Sequence, residues 1–229
     1  MKNLLKTCIK MKLYTTGCSH THGAGSALGR QYRSRNWAAK LAKKLDAEWI
    51  DTSRPGNNNM MIRSRVIENV YGHNIKPDHA VIQFTYPSRY WTPGRYHQPN
   101  YKESKLKACT IHMINEIKQL EIVLKSASVP YTFIIWPSLF PECYGKVEAS
   151  FDHSRILNYD GKHFGMDGLL QTHGFKYPLP TGGGLPDGHF EEDAQEFLAD
   201  AVYNHIVAGK KLTPKGEMPT SELFVDQLY

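Results

Sequence analysis

Lys12-Leu13-Tyr14-Thr15-Thr16-Gly17-Cys18-Ser19-His20 is the stretch that decides the fold. Lys12 to Thr16 reads as a short strand, and the Gly/Ser/His-rich run after it reads as a loop reaching about Gly29. Trp37, Ala38, Leu41, Ala42 and Leu45 then recur at helical spacing, which predicts an amphipathic helix over 35–45. Glu48-Trp49-Ile50-Asp51-Thr52 is a second short strand, and Ser53-Arg54-Pro55-Gly56 is a turn. Asn57 or Asn58 caps a helix carrying Met61, Ile62, Val66 and Val70. A strand, a helix, a strand and a helix in sequence open an alternating α/β chain.

The alternation continues. His79-Ala80-Val81-Ile82-Gln83-Phe84-Thr85 is the strongest strand signal, and an irregular segment from Tyr86 to Asn100 follows it. The longest helix spans 103–126, with Ile111, Ile114, Ile117, Leu120 and Leu124 on one stripe. Met60-Met61 reads as a second core stripe. Tyr131-Thr132-Phe133-Ile134-Ile135-Trp136 is a buried strand stopped by Pro137. Residues 138–188 are rich in Gly, Pro and His and carry no clear period. A last helix over 190–208 presents Phe197, Leu198, Ala201 and Ile206. Strands separated by helices imply a parallel sheet with helices on both faces, wound by right-handed crossovers. Residues 11–208 form one domain in this reading, with 1–10 as an N-terminal extension and 209–229 as a C-terminal tail.

Bulk properties narrow the function classes. The 229 residues are 41% hydrophobic and 22% charged, ordinary for a soluble globular protein. The net charge of +6 is diffuse, with no basic run longer than two residues, so nucleic acid is not an expected partner. The four cysteines, Cys8, Cys18, Cys109 and Cys143, show no CxxC spacing, which disfavours a zinc module or disulfide scaffold and suits a reducing compartment. The opening apolar stretch is broken by Lys6 and Lys10 and lacks the core of a signal peptide. No run reaches membrane-spanning length, so a cytoplasmic location without membrane contact is expected. The structured pattern begins at Met11-Lys12.

In an open parallel sheet, ligands bind beyond the carboxyl ends of the strands. Loops 17–25, 53–59 and 85–90 fall there, and Pro186-Asp187-Gly188-His189 before the last helix can join them. Ser19 needs a base to become a nucleophile. His189 is the natural base, and Asp187 is placed to orient it. Gly56 allows close backbone approach, and Asn57, Asn58 and Asn59 supply amides for a developing oxyanion.

In these residues the chain resembles the SGNH (GDSL-like) hydrolases, which are esterases and lipases and include carbohydrate O-deacetylases. The resemblance implies a three-layer α/β/α sandwich, flavodoxin-like, around a central parallel sheet. Gly17-Cys18-Ser19 matches the family's Gly-Asp-Ser, with Cys18 in place of Asp. Pro55-Gly56-Asn57-Asn58 matches the second block, in a form found in divergent, often phage-encoded members. Asp187-Gly188-His189 is one residue shorter than the family's Asp-x-x-His. Where the third block has an Asn that completes the oxyanion hole, this chain has Phe84-Thr85-Tyr86-Pro87-Ser88-Arg89. The resemblance thus implies Ser19, His189 and Asp187 as a catalytic triad. It implies an oxyanion hole from Ser19, Gly56 and Asn58, and no cofactor. The missing Asn removes a donor worth about 3 kcal/mol, for which Asn58, Thr85 or Ser88 are substitutes.

Other readings stand beside this one. The segment Tyr86 to His97 is crowded with aromatics and holds two arginines. It reads as a lid in which Tyr86 and Trp91 stack on a sugar or flat ester and Arg89 clamps an anion, or as a packed surface loop. The substrate expected is a small-molecule or carbohydrate ester. A catalytically impaired binding module of the same fold is the alternative. His20 and His22 on alternate positions offer a weaker metal-dependent reading, unsupported by any zinc-protease spacing. Cys18 is a less favoured nucleophile than Ser19. Gly182-Gly183-Gly184 lacks the Lys-Ser/Thr of a phosphate loop.

Overall fold

Alternation along each strand sets the layers. Tyr14, Ala80, Ile82, Phe84, Tyr131, Phe133 and Ile135 enter one buried cluster, while Leu13, Val81, Ile134 and Trp136 enter another. Successive strand side chains point to opposite faces, so each strand supplies both cores. The computed structural model describes residues 10–23, 34–87, 103–137, 152–159, 165–176 and 189–216, and of 103–107 the backbone alone. The expectations for Asp187, Arg89, Trp91, Ser88, Gly182-Gly183-Gly184 and residues 1–9 lie outside the described residues.

The elements are β1 (Lys12–Thr16), α1 (Ser19–His22), α2 (Trp37–Lys44), β2 (Glu48–Asp51), α3 (Asn59–Ile67), β3 (His79–Phe84), α4 (Glu103–Ser126), β4 (Tyr131–Ile135), α5 (Met166–Thr172) and α6 (Glu192–Ala208). Among the described residues the sheet has four strands in the order β2-β1-β3-β4, all parallel. Ile62 and Val66 of α3 join Ile114, Ile117 and Leu120 of α4 on one face. Trp37 and Leu41 of α2, Leu169 of α5 and Leu198 of α6 cover the other. This is the three-layer α/β/α arrangement. The chain steps from β1 to β2 on one side and then returns to place β3 on the other, so the strand order reverses at β1. In open α/β sheets ligands bind at such a reversal, which here is the carboxyl ends of β1 and β3.

The outer edge of β4 is capped rather than left as an open hydrogen-bonding row. Leu157 N donates to Phe133 O at 2.9 Å. The Asn158 side chain then imitates a strand, accepting from Ile135 N at 3.0 Å and donating to Ile135 O at 2.7 Å. The segment after α6 pins this edge: Leu212 N donates to Leu157 O at 3.0 Å, and Lys211 Nζ donates to the carbonyls of His153 and Ile156.

Three sequence expectations change. The segment after β1 is not loop throughout, because Cys18 O accepts from both Thr21 N and His22 N and winds Ser19–His22 into one helical turn. Gly23, at φ 76°, ends that turn in the left-handed region. Met60 is not core but 45% exposed; Ile62 and Val66 carry the buried face of α3. The segment 138–188, unreadable by period, contains the helix Met166–Thr172, whose seven residues are too few to show one.

Candidate active site

Gly17 sits where β1 ends, and its missing side chain matters. A Cβ there would lie 2.3 Å from Thr21 Oγ1 and 2.9 Å from Gln83 Oε1. That space is taken by a buried polar knot: Thr21 Oγ1 donates to Gln83 Oε1 at 2.6 Å, and Gln83 Nε2 reaches Phe84 O at 3.0 Å. Cys18 Sγ lies 3.6 Å from Gln83 Oε1 and is fully buried. The knot fastens the start of α1 to β3. Asn36 fastens its other end, donating to Thr21 O at 2.6 Å while capping α2 through Ala39 N. Ser19 is thus the first residue of a helical turn held at both ends, and it is 7% exposed.

The turn after β2 is strapped to the same place. Asn57 N donates to Arg54 O at 3.3 Å, and Gly56 has φ 77°. Proline second and a positive-φ glycine third are what a type II turn requires. Arg54 N at 3.3 Å and Asn57 Nδ2 at 2.9 Å both donate to Gly17 O, the carbonyl that precedes Cys18-Ser19. Gly56 is therefore carried to the loop that holds Ser19.

The three asparagines divide the remaining work. Asn57 grips Gly17. Asn58 is the N-cap of α3, its Oδ1 accepting from Met61 N at 2.8 Å. Asn59 grips the end of β3 twice, accepting from Thr85 N at 2.8 Å and donating to Thr85 O at 3.0 Å. Buried backbone groups need such partners. The Thr85 hydroxyl is buried and has no hydrogen-bond partner among the described residues.

His189 reaches the site from the other end of the chain. Its ring packs on that of His20 with centroids 4.5 Å apart and planes 37° apart. His20 in turn stacks on Trp136 at 3.9 Å and 22°. Phe190 meets Trp136 at 6.3 Å. Gln195 of α6 anchors this approach, its Oε1 accepting from Trp37 N at 3.1 Å.

Asp167 stands in the first turn of α5 beside Trp136 and carried no sequence signal. Its N–H donates to Trp136 O at 3.3 Å, its carboxylate accepts from Gly168 N at 2.8 Å, and Tyr86 Oη donates to it at 3.1 Å. Burial pushes its carboxyl up to about 7 against these lowering bonds. Tyr86, expected at a substrate lid, is thus engaged with Asp167 at the end of β3. Among the described residues no three of His, Cys, Asp and Glu gather as a metal site.

Ser19, the Gly56–Asn58 turn and His189 therefore come from three segments, joined at the carboxyl edge of the sheet by the bonds to Gly17 O and by the His20–His189 contact. The sequence pointed to that edge. It did not show the Gln83 knot, the Asn59–Thr85 bridge or the ring stack, because each joins residues far apart in the chain.

No protein-family model and no curated protein matches the chain. Solved structures do. An acetyl xylan esterase, AlAXEase, is similar with a TM-score of 0.55 at 13% identity, over 86% of this chain and 100% of that one. The psychrotrophic esterase EstA from Pseudoalteromonas sp. gives 0.52 at 16%, over 85% and 96%. A carbohydrate esterase family 2 enzyme of Corynascus thermopiles gives 0.52 at 13%, over 87% and 66%. At such identities the likeness is one of fold. The chain thus has the three-layer α/β/α fold of these esterases, the fold its motifs resemble in the SGNH (GDSL-like) hydrolases, carried on a sequence far removed from theirs.

Proposed function

We propose that this protein is a serine ester hydrolase, with Ser19 as nucleophile, His189 as general base and then acid, and Asp187 orienting the imidazole. Ser19 Oγ attacks the acyl carbon while His189 takes its proton. The acyl–oxygen bond to the alcohol then breaks, and His189 gives that proton to the departing oxygen. Water attacks the acyl-serine, its proton passes to His189, and the carboxylic acid leaves as Ser19 regains its hydrogen. The N–H groups of Ser19 and Gly56 stabilise the oxyanion. Asn58 spends its Oδ1 on the helix cap, which leaves its Nδ2 as an amide donor. The Thr85 hydroxyl, buried without a partner among the described residues, is the substitute for the absent Asn of the third block.

One observation carries the reading: three segments remote in sequence, bearing Ser19, Gly56 and His189, converge at the point where the strand order reverses. Carbohydrate deacetylation is the substrate class we favour. The aromatic segment beginning at Tyr86 and the acetyl xylan and carbohydrate esterases among the structural neighbours support it. Arg89 and Trp91 complete the proposed substrate contacts.

The test is hydrolysis of p-nitrophenyl acetate and of acetylated xylan oligosaccharides. Turnover that disappears in Ser19→Ala supports the proposal, and a Ser19→Ala rate equal to wild type sinks it. A second reading, a binding module without turnover, draws on Thr85 standing where an Asn is expected. Saturable oligosaccharide binding without ester cleavage is its signature.

A further inference from the structure

We propose that His20 is a positioning residue whose ring face sets the orientation of the His189 imidazole. The inference rests on the esterase reading for its kinetic consequence but not for its structural content. A histidine ring turns about a broad terminal torsion, so something must hold it if one nitrogen is to face a nucleophile. Hydrogen bonding to a carboxylate is one means. The geometry points to a second.

His189 and Phe190 are consecutive, and each meets one member of a preassembled ring pair. His189 packs on His20 at 4.5 Å, and Phe190 on Trp136 at 6.3 Å. The pair itself is close and nearly parallel, at 3.9 Å and 22°. It is also immobilised. Trp136 is fully buried, with its backbone N–H donating to Phe84 O at 3.2 Å and its backbone carbonyl accepting from Asp167 N at 3.3 Å. His20 is 3% exposed and belongs to the one-turn helix fixed by the Gln83 knot and by Asn36.

The decisive feature is adjacency. His20 follows Ser19 directly, so the turn that presents the nucleophile also presents the plate on which the base rests. The distance between nucleophile and plate is set by one peptide unit rather than by the long path to residue 189. Any shift of α1 carries both partners together. His20 contributes no proton transfer in this account; it acts through His189. The ring face is therefore the property required at position 20, and an imidazole is not.

Two variants separate ring from volume: His20→Phe keeps a face, and His20→Leu fills the space without one. Thermal melts establish that both are folded. The readouts are kcat and KM on p-nitrophenyl acetate, and the NMR position of the His189 Hε1 proton in protein labelled with 13Cε1-histidine, assigned by its loss in His189→Gln. We expect His20→Leu to move the His189 signal and to lower kcat about 10²-fold with KM nearly unchanged, as a misplaced catalytic group does. His20→Phe restores most of kcat and leaves the Hε1 proton in a ring-current field. Wild-type values for both readouts in His20→Leu overturn the proposal. Equal kcat losses in the two variants with an unmoved signal also overturn it. A wild type without turnover whose His189 signal still moves in His20→Leu refutes the esterase reading while supporting the ring contact.

Discussion

Replacing Asp167 by Asn should change how stability depends on pH. Asp167 is buried, accepts from Gly168 N at 2.8 Å and from Tyr86 Oη at 3.1 Å, and has its carboxyl raised from 3.8 to about 7 chiefly by burial. Its folded value lies above its unfolded value, so between them the native state binds more protons than the unfolded chain. Stability therefore falls as pH rises through this window. At 1.36 kcal/mol per pH unit the full loss is about 4 kcal/mol, reached above about pH 7. Of this, about 2–3 kcal/mol falls between about pH 5 and about pH 8. Asn is nearly isosteric, its Oδ1 serves the Gly168 N–H, and its Nδ2 donates to a rotated Tyr86 hydroxyl, so it keeps the contacts without the charge. The assay is urea unfolding of wild type and Asp167→Asn at both pH values. The contributions of His79 and other titrating groups cancel in the difference. The variant should gain about 2–3 kcal/mol on wild type as pH rises across that range. Parallel pH profiles for the two proteins would refute the reasoning, since they would mean Asp167 titrates alike folded and unfolded.

Two further perturbations test the straps that assemble the site. Asn59→Ala strands the N–H and C=O of Thr85 and should cost about 2–4 kcal/mol in urea unfolding, since buried unpaired polar groups are expensive. Gly17→Ala places a methyl 2.3 Å from Thr21 Oγ1, which breaks the bond to Gln83 and should destabilise by about 1–3 kcal/mol in thermal melts.

Local pattern made part of this legible. The apolar runs His79–Phe84 and Tyr131–Ile135 are buried throughout, and of the stripe Ile111, Ile114, Ile117, Leu120 and Leu124 all but the half-buried Ile111 are buried. Pro55-Gly56 and Asn57-Asn58 declare a turn and a cap through chemistry confined to four residues, and the structure selects Asn58 as the cap. Met60 misled because hydrophobicity was read without the face: the residue occupies the solvent side of α3. Asp167 was invisible because its significance lies in Trp136 and Tyr86, 31 and 81 positions away. His20 reads as a polar loop residue or a metal ligand, since nothing local to it names Trp136 or His189 as its neighbours.

The sequence by itself determined the alternating α/β order, the turn and cap that open α3, and the edge of the sheet where Ser19 must lie. These follow from short-range rules of period, capping and backbone freedom. Only the tertiary structure decided which groups meet there. It converted three consecutive asparagines into three different fastenings, one to β1, one to α3 and one to β3. It also set His189 against the residue next to Ser19. Contacts of that kind depend on strand order and on the side of the sheet each crossover takes, which no window of neighbouring residues encodes.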